Sequence, residues 1–229
     1  MNTSIFIKVI LALSIGVAVA CSVAKSSANI TDISDLPPVA TPETASSAAS
    51  GPQKAVFAGG CFWGVDAVFK HVKGVTKVTS GYSGGTKDTA DYETVSTGKT
   101  GHAESVEVVF DPAQVTYQQL LYVFFSVAHD PTELNYQGPD HGTQYRSAIF
   151  YVNDEQKKTA EDFIATIDKS KALSKPVVTQ VVPFQAFYPA EDYHQNYLAL
   201  HPDEPYIVYN DKPKVAALKE KFPKLYTDK

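Results

Sequence analysis

Hydrophobic and polar positions beyond residue 53 switch repeatedly between a period of two and a helical period. The first is typical of strands and the second of helices. In chain order, this pattern predicts strand 54–58, helix 62–72, strand 75–80, strand 104–110, helix 116–128, strand 145–152, helix 154–171, strand 177–183 and helix 190–200. The order β-α-β-β-α-β-α-β-α predicts an α+β fold, a two-layer sandwich with a ferredoxin-like split β-α-β core and a mixed or antiparallel sheet.

Two long polar segments that contain glycines interrupt this pattern, at residues 81–103 and 129–144. Structureless connections of this length within a compact domain are usually functional. We therefore expect both segments to be active-site loops. The Pro-rich chain from residue 201 onward is expected to wrap the surface of the domain.

The first 21 residues are apolar and short, with Lys8 near their start, which predicts an export signal peptide. Its end, Ala18-Val-Ala-Cys21, resembles a lipobox, in which the cysteine is lipidated after cleavage. Ala18 stands where leucine is usual, so ordinary cleavage just before Cys21 is the alternative.

Residues 22–52 are rich in Ser, Ala, Thr and Pro, a composition that buries too little surface to fold. They are predicted to be a disordered linker, and residues 53–229 are predicted to be the folded domain. We expect an exported, periplasmic lipoprotein whose lipid anchor is on Cys21.

Composition excludes several classes of protein. The chain has 229 residues and a net charge of −5, so it lacks the basic surface of a nucleic-acid-binding protein. Two cysteines cannot form a disulfide framework, and the spacing of His102, His141, His194 and His201 matches no zinc pattern. We expect a monomer with no metal site and no nucleic-acid partner.

Cys61 lies in the run Gly59-Gly-Cys-Phe-Trp-Gly64, between a predicted strand and a predicted helix. A helix start favours the thiolate, so its pKa is expected to be lowered. The paired glycines allow close approach of a ligand, and two aromatic side chains adjoin the sulfur. A buried structural thiol is the alternative, but these neighbours favour a reactive cysteine beside an apolar pocket.

Glu104 shares its strand face with Val106, Val108 and Phe110, the face that is expected to be buried. Burial keeps a carboxyl group protonated, which suits a general acid. The alternative is an exposed position at the rim of the sheet, because the ends of predicted strands are imprecise.

Residues 135–147 are dense in hydrogen-bonding groups. They are either part of a site or a solvated turn, since Gly-Pro-Asp-His-Gly is rich in turn formers. Cys61 with His194 or His141 would suit a Cys–His acyl hydrolase.

Five motifs in order resemble those of the peptide methionine sulfoxide reductases of the A type (MsrA). They are Gly60-Cys-Phe-Trp-Gly64, Gly81-Tyr-Ser-Gly-Gly85, Gly101-His-Ala-Glu104, Asp140-His-Gly-Thr-Gln-Tyr-Arg-Ser147 and Ala190-Glu-Asp-Tyr-His194. The resemblance covers roughly residues 54–210. It implies reduction of the S epimer of methionine sulfoxide, free or in proteins. A non-catalytic exported binding module that recognises oxidised methionine is the alternative.

The resemblance also implies roles for individual residues. Cys61 would attack the sulfoxide sulfur, and Glu104 would protonate the sulfoxide oxygen. Tyr92 and Tyr145 would hydrogen-bond that oxygen, and Asp140 would help to position the site.

Phe62 and Trp63 would hold the substrate methyl group, and no bound cofactor is implied. Many members of the family carry resolving cysteines near the C-terminus, but residues 206–229 contain none. We therefore expect an external thiol to reduce the Cys61 sulfenic acid: a thioredoxin-like protein, a glutaredoxin or a small thiol.

Overall fold

The computed structural model describes residues 32–36 and 51–228. Its strands are β1 (Gln53–Gly59), β2 (Val75–Ser83), β3 (Ala103–Phe110), β4 (Tyr136–Gln137), β5 (Asp140–His141), β6 (Ser147–Tyr151), β7 (Gln180–Pro183) and β8 (Phe187–Pro189). Its α-helices are α1 (Phe62–Lys70), α2 (Tyr92–Val95), α3 (Tyr117–Val123), α4 (Asp154–Ser170), α5 (Tyr197–Leu200) and α6 (Lys212–Lys221). Two π-helices, Phe124–Ala128 and Ile207–Asp211, continue α3 and lead into α6.

Six strands form one sheet in the order β7-β6-β1-β3-β2-β8. The pair β6–β7 is parallel, and the other pairs are antiparallel. The predicted α+β fold with a mixed sheet is confirmed. β4 and β5 form a separate small hairpin within the loop at 129–144.

β2 is longer than the sequence predicts, because it continues through Gly81 to Ser83. A side chain at Gly81 would lie 2.3 Å from the backbone oxygen of Tyr188 on β8. The glycine therefore lets β8 pair closely with β2, and the residue that looked like the start of a loop belongs to the sheet.

The main core lies on the helical face of the sheet. The Phe57 ring stacks on the rings of Phe69 and Phe124, with centroids 5.1 Å and 4.9 Å apart. A smaller cluster around Val56 and Phe150 covers the opposite face of the sheet. This arrangement places the carboxyl end of β1 and the first turn of α1 beside the two long loops.

The C-terminal tail is more regular than predicted. Instead of wrapping the surface irregularly, it forms the second π-helix and α6, which pack against α1. Pro213 lies in the first turn of α6, where its missing N–H is tolerated, and Ile207 and Leu218 are fully buried.

The linker prediction does not hold for residues 32–36. Ile33 and Leu36 are 4% and 5% exposed and belong to the main core. Asp32 pairs with Lys221 of α6 at 2.6 Å, and the Tyr122 hydroxyl donates to the Leu36 carbonyl at 3.0 Å. Two apolar side chains three residues apart are enough to dock a segment whose overall composition is that of a linker.

The predicted signal peptide, Cys21 and the rest of the predicted linker up to residue 50 lie outside the described residues. None of the helices in the described part of the chain is long and apolar enough to cross a membrane.

Candidate active site

Cys61 is the N-cap residue of α1, directly after β1. Gly60 turns the chain there with φ of +87°, and a side chain on it would lie 2.6 Å from Cβ of Gln137. Only glycine fits this turn, because the loop at 129–144 packs directly against it, beside the cysteine. The thiol is buried, with 8% of the residue exposed.

The expectation of a lowered thiol pKa is wrong for this environment. Burial raises the pKa of Cys61 well above its usual range, and negative charge on Glu104, Asp211 or Asp140 raises it further. The backbone N–H of Trp63 opposes this effect but does not outweigh it. The resting thiol is therefore protonated, because loss of solvent outweighs the helix terminus.

Glu104 lies on β3 with its carboxyl group buried, at 2% exposure. The Phe62 N–H donates to its Oε2 at 3.0 Å. Burial raises the pKa of Glu104 to about 8, although the Phe62 hydrogen bond lowers it. The alternative of a wet sheet rim is wrong, and Glu104 is a protonated acid beside Cys61 at neutral pH.

Tyr92 comes from the loop at 81–103, Tyr145 directly follows the loop at 129–144, and both approach the same site. Tyr92 begins α2, and Tyr145 ends the short 3-10 helix Thr143–Tyr145. Burial raises the pKa of both phenols, and negative charge on Glu104 or Cys61, when either ionises, adds to the effect. Both hydroxyls therefore remain protonated and can donate hydrogen bonds.

Phe62 and Trp63 form an aromatic wall at the start of α1. Phe62 is almost completely buried, and its ring lies 5.0 Å from that of His194. Trp63 is half-buried and stacks on Tyr197, with centroids 3.6 Å apart and planes 4° from parallel. Trp63 therefore offers more open apolar surface than Phe62.

His194 orients this wall. The Trp63 Nε1–H donates to His194 Nδ1 at 3.1 Å, which requires an unprotonated Nδ1. Burial lowers the pKa of His194, so the neutral ring that accepts this bond is favoured. His141, by contrast, is exposed and stacks on Tyr136 at 5.4 Å. Neither histidine is arranged as a base for Cys61.

Asp140 lies on β5 and accepts a hydrogen bond from the Tyr206 hydroxyl at 2.5 Å. Sequence reasoning assigned no role to Tyr206, which lies in the Pro-rich tail. It also gave none to Glu191, which accepts from the Tyr82 hydroxyl at 2.9 Å and from the Tyr92 N–H at 2.8 Å. Glu191 lies within one of the five motifs, and this position could have identified it as a site residue from the sequence.

The structure thus brings all seven predicted site residues to one region. A buried thiol and a protonated carboxyl group lie beside two phenol hydroxyls, and aromatic rings adjoin them. Within residues 32–36 and 51–228, no group of three or more His, Cys, Asp or Glu side chains is arranged to hold a metal ion. The arrangement can protonate an oxygen while a sulfur nucleophile attacks the atom bonded to it.

Residues 53–226 match a family model described as peptide methionine sulfoxide reductase. The chain belongs to the peptide methionine sulfoxide reductase family. Peptide methionine sulfoxide reductase MsrA 2 of Mesorhizobium japonicum is 63% identical over 182 residues, 80% of this chain and 93% of that protein. The protein of the same name from Synechocystis is 52% identical over 192 residues, 84% and 88% of the two chains.

Solved structures agree with this family. Reduced Mxr1 from Saccharomyces cerevisiae is similar with a TM-score of 0.60 and 32% identity, over 66% of this chain and 87% of that chain. Methionine sulfoxide reductase A of Corynebacterium diphtheriae has a TM-score of 0.57 and 32% identity, over 73% and 83%. The chain is an enzyme, an oxidoreductase of the MsrA type that reduces methionine sulfoxide in peptides. A Cys–His hydrolase is not favoured.

Proposed function

We propose that Cys61 and Glu104 carry the reaction, with the S epimer of free and protein-bound methionine sulfoxide as substrate. The observation that supports this most is the buried Glu104 carboxyl group, with a pKa of about 8, hydrogen-bonded to the residue after Cys61. A sulfoxide oxygen leaves only when protonated, so an acid must act as the sulfur attacks.

The proposed reaction transfers one oxygen atom. The Cys61 sulfur attacks the sulfoxide sulfur, Glu104 protonates the sulfoxide oxygen, and the thiol proton restores Glu104. The attack forms a bond between the Cys61 sulfur and the substrate sulfur. This bond and the sulfur–oxygen bond of the substrate then break as the oxygen, with its proton, forms a bond to the Cys61 sulfur. Methionine sulfur is reduced by two electrons, and Cys61 is oxidised by two electrons to a sulfenic acid.

The remaining site residues bind the two ends of the sulfoxide group. Tyr92 and Tyr145 donate to its oxygen, and Phe62 and Trp63 contact its methyl group. Asp140 positions the site through its hydrogen bond to Tyr206.

An external thiol restores Cys61 in this proposal. The sequence contains one other cysteine, Cys21, and none between residues 206 and 229. Lipidation of Cys21 would block its sulfur. A thioredoxin-like protein, a glutaredoxin or a small thiol would therefore reduce the sulfenic acid.

The N-terminal sequence supports a location outside the cytoplasm. We infer a signal peptide over residues 1–21, a lipid on Cys21 and a periplasmic monomer that repairs oxidised exported proteins. The polar stretch after Cys21 is consistent with a tether.

Separate S and R epimers of a methionine sulfoxide peptide test this function directly. The full chain with dithiothreitol should reduce the S epimer only, and Cys61→Ser should abolish reduction. Cys61 should then react with a sulfenic-acid probe after one turnover without reductant. Reduction of the R epimer, or an intramolecular disulfide after that turnover, would contradict the proposal.

A further inference from the structure

The C-terminal tail places an ion pair beneath the first turn of α1. Asp211 ends the second π-helix with 0% exposure, and its Oδ1 accepts from Lys214 Nζ at 3.2 Å. Its other oxygen, Oδ2, is buried without a hydrogen-bond partner in the described residues. Burial raises the pKa of Asp211, and Lys214 opposes that rise. In its ionised form the carboxylate is incompletely neutralised, so its charge acts on its surroundings.

Gly64 shows how close the pair lies to the reacting cysteine. A Cβ on Gly64 would lie 2.2 Å from Asp211 Oδ1 and 2.8 Å from Lys214 Nζ. Gly64 is three residues after Cys61, within the same first helical turn. Both charges therefore lie against the end of the helix that carries the thiol.

The other charged and titratable groups around Cys61 come from several elements. β3 contributes Glu104, and β5 contributes Asp140. The phenols of four tyrosines also face this region: Tyr92, Tyr145, Tyr197 and Tyr206. Any charge that these carboxyl and phenol groups carry is negative, whereas the charge of Lys214 is positive. Lys214 also lowers the pKa of the buried His129 ring.

We propose that the Asp211–Lys214 pair sets the reactivity of the Cys61 thiol. Asp211 opposes formation of the thiolate, and Lys214 offsets part of that opposition. Neither residue touches the substrate in this proposal; both act through the field at the first turn of α1. The tail thereby tunes a reaction centre some 150 positions earlier in the sequence.

The two members of the pair should act in opposite directions. Loss of the ammonium leaves a buried carboxylate facing the thiol, so less thiolate forms at a given pH. Loss of the carboxylate charge leaves the ammonium, so more thiolate forms. A merely structural pair would not give opposite signs, because removing either partner would disturb the same packing.

Alkylation of Cys61 by iodoacetamide measures this effect without any sulfoxide. The full-length folded chain is used, and the Cys61 peptide is quantified by mass spectrometry, which separates it from Cys21. The pH–rate profile reports the thiolate fraction. We expect Lys214→Met to slow alkylation roughly tenfold at a fixed pH, and Asp211→Asn to accelerate it by a similar factor.

Lys214→Arg keeps the charge and should restore nearly the original rate. Lys219→Met is the matched control, because Lys219 is an exposed lysine on the same helix. If Asp211→Asn does not fold, the alkylation rates of Lys214→Met and Lys214→Arg are compared instead, and equal rates would overturn the proposal. Equal rates for Lys214→Met and Lys219→Met, or shifts of the same sign for both members of the pair, would overturn the proposal.

The inference rests on the proposed role of Cys61 as the reacting thiol. Alkylation requires no methionine sulfoxide, so the two can fail separately. Opposite shifts with no sulfoxide reduction would refute the proposed chemistry alone, and normal reduction with unshifted alkylation would refute the role of the pair alone.

Discussion

Cys61 and Glu104 are both buried, and burial favours the neutral form of each. A neutral thiol is a poor nucleophile, whereas a neutral carboxyl group is a competent acid. The resting site is therefore ready to protonate a substrate but not to attack it. Bringing a sulfoxide oxygen to Glu104 would let the proton move and the thiolate form in the same step.

Replacing Glu104 with Gln tests the acid at the scale of one residue. The protonated fraction of Glu104 falls as the pH rises through about 8, so the wild-type rate should fall above that pH. Glu104→Gln should lower the single-turnover rate by about 10² to 10⁴ and remove this alkaline limb. Stopped-flow reduction of an S-sulfoxide peptide measures both, and a rate near wild type would contradict the assigned role.

The same substitution should also stabilise the protein. The pKa of Glu104 is about 8 in the folded state and near 4.5 when unfolded, so ionisation penalises folding increasingly between those pH values. Gln does not ionise and can still accept the Phe62 N–H. Denaturant unfolding should therefore show Glu104→Gln to be more stable than wild type at pH 8, with the difference vanishing below the unfolded pKa. Equal free energies of unfolding for Glu104→Gln and wild type, both at pH 8 and below the unfolded pKa, would contradict burial of the ionised Glu104 side chain.

Local sequence was sufficient to predict some of these residue properties. The buried face of Glu104 follows from alternation with Val106 and Val108. The raised pKa of Cys61 did not follow, because it depends on solvent exclusion and on Asp211, which lies 150 positions away. A local motif identifies a helix start but carries no information about what covers it.

At the scale of elements, the contact between α1 and the tail depends on Gly64. Intrinsic propensity alone favours Ala over Gly within a helix by about 1 kcal/mol. Here a Cβ would collide with Asp211 and Lys214. We therefore expect Gly64→Ala to lower the free energy of unfolding by roughly 1–3 kcal/mol, measured by urea denaturation.

Asp211→Gly provides the control for this collision. In that background the space under Gly64 is larger, so Gly64→Ala should be less destabilising than in the wild type. An increase in stability from Gly64→Ala in the wild-type chain would show that the tail does not pack against this turn.

The docked segment at residues 32–36 gives a second prediction at this scale. Leu36 is 5% exposed, so Leu36→Ala should destabilise the domain by roughly 1–3 kcal/mol, limited by the free energy of docking. Leu134, which is 57% exposed, is a matched site where the same substitution should change little. Identical melting temperatures for the two variants would mean that docking contributes nothing measurable.

Elements with their own hydrophobic period were predictable, and those without it were not. α4 and β3 have clear periods and were predicted nearly to their ends. β8 has three residues and exists because β2 offers an edge for it. α6 has only a weak apolar face and has prolines near it, so the sequence pattern did not predict this helix. Packing against α1 stabilises it.

At the scale of the whole molecule, the docked segment shortens any tether between the domain and a membrane. Eleven peptide bonds separate Cys21 from Asp32, which span at most about 40 Å when fully extended. A lipid on Cys21 would therefore hold the reductase domain close to the bilayer surface. Residues beyond Asp32 add nothing to this reach while Ile33 and Leu36 remain buried.

Replacing Cys21 with Ser tests the anchor and the recycling of Cys61 together. Without Cys21 there is no lipid anchor, so the enzyme should move from the membrane fraction to the soluble periplasmic fraction. Because a lipidated Cys21 cannot resolve a sulfenic acid, turnover with dithiothreitol should remain unchanged. Fractionation of cells expressing both forms measures the first effect, and steady-state assays of the purified proteins measure the second. A wild-type chain that is already soluble would favour ordinary signal cleavage, whereas reduced turnover in Cys21→Ser would show that Cys21 takes part in restoring Cys61.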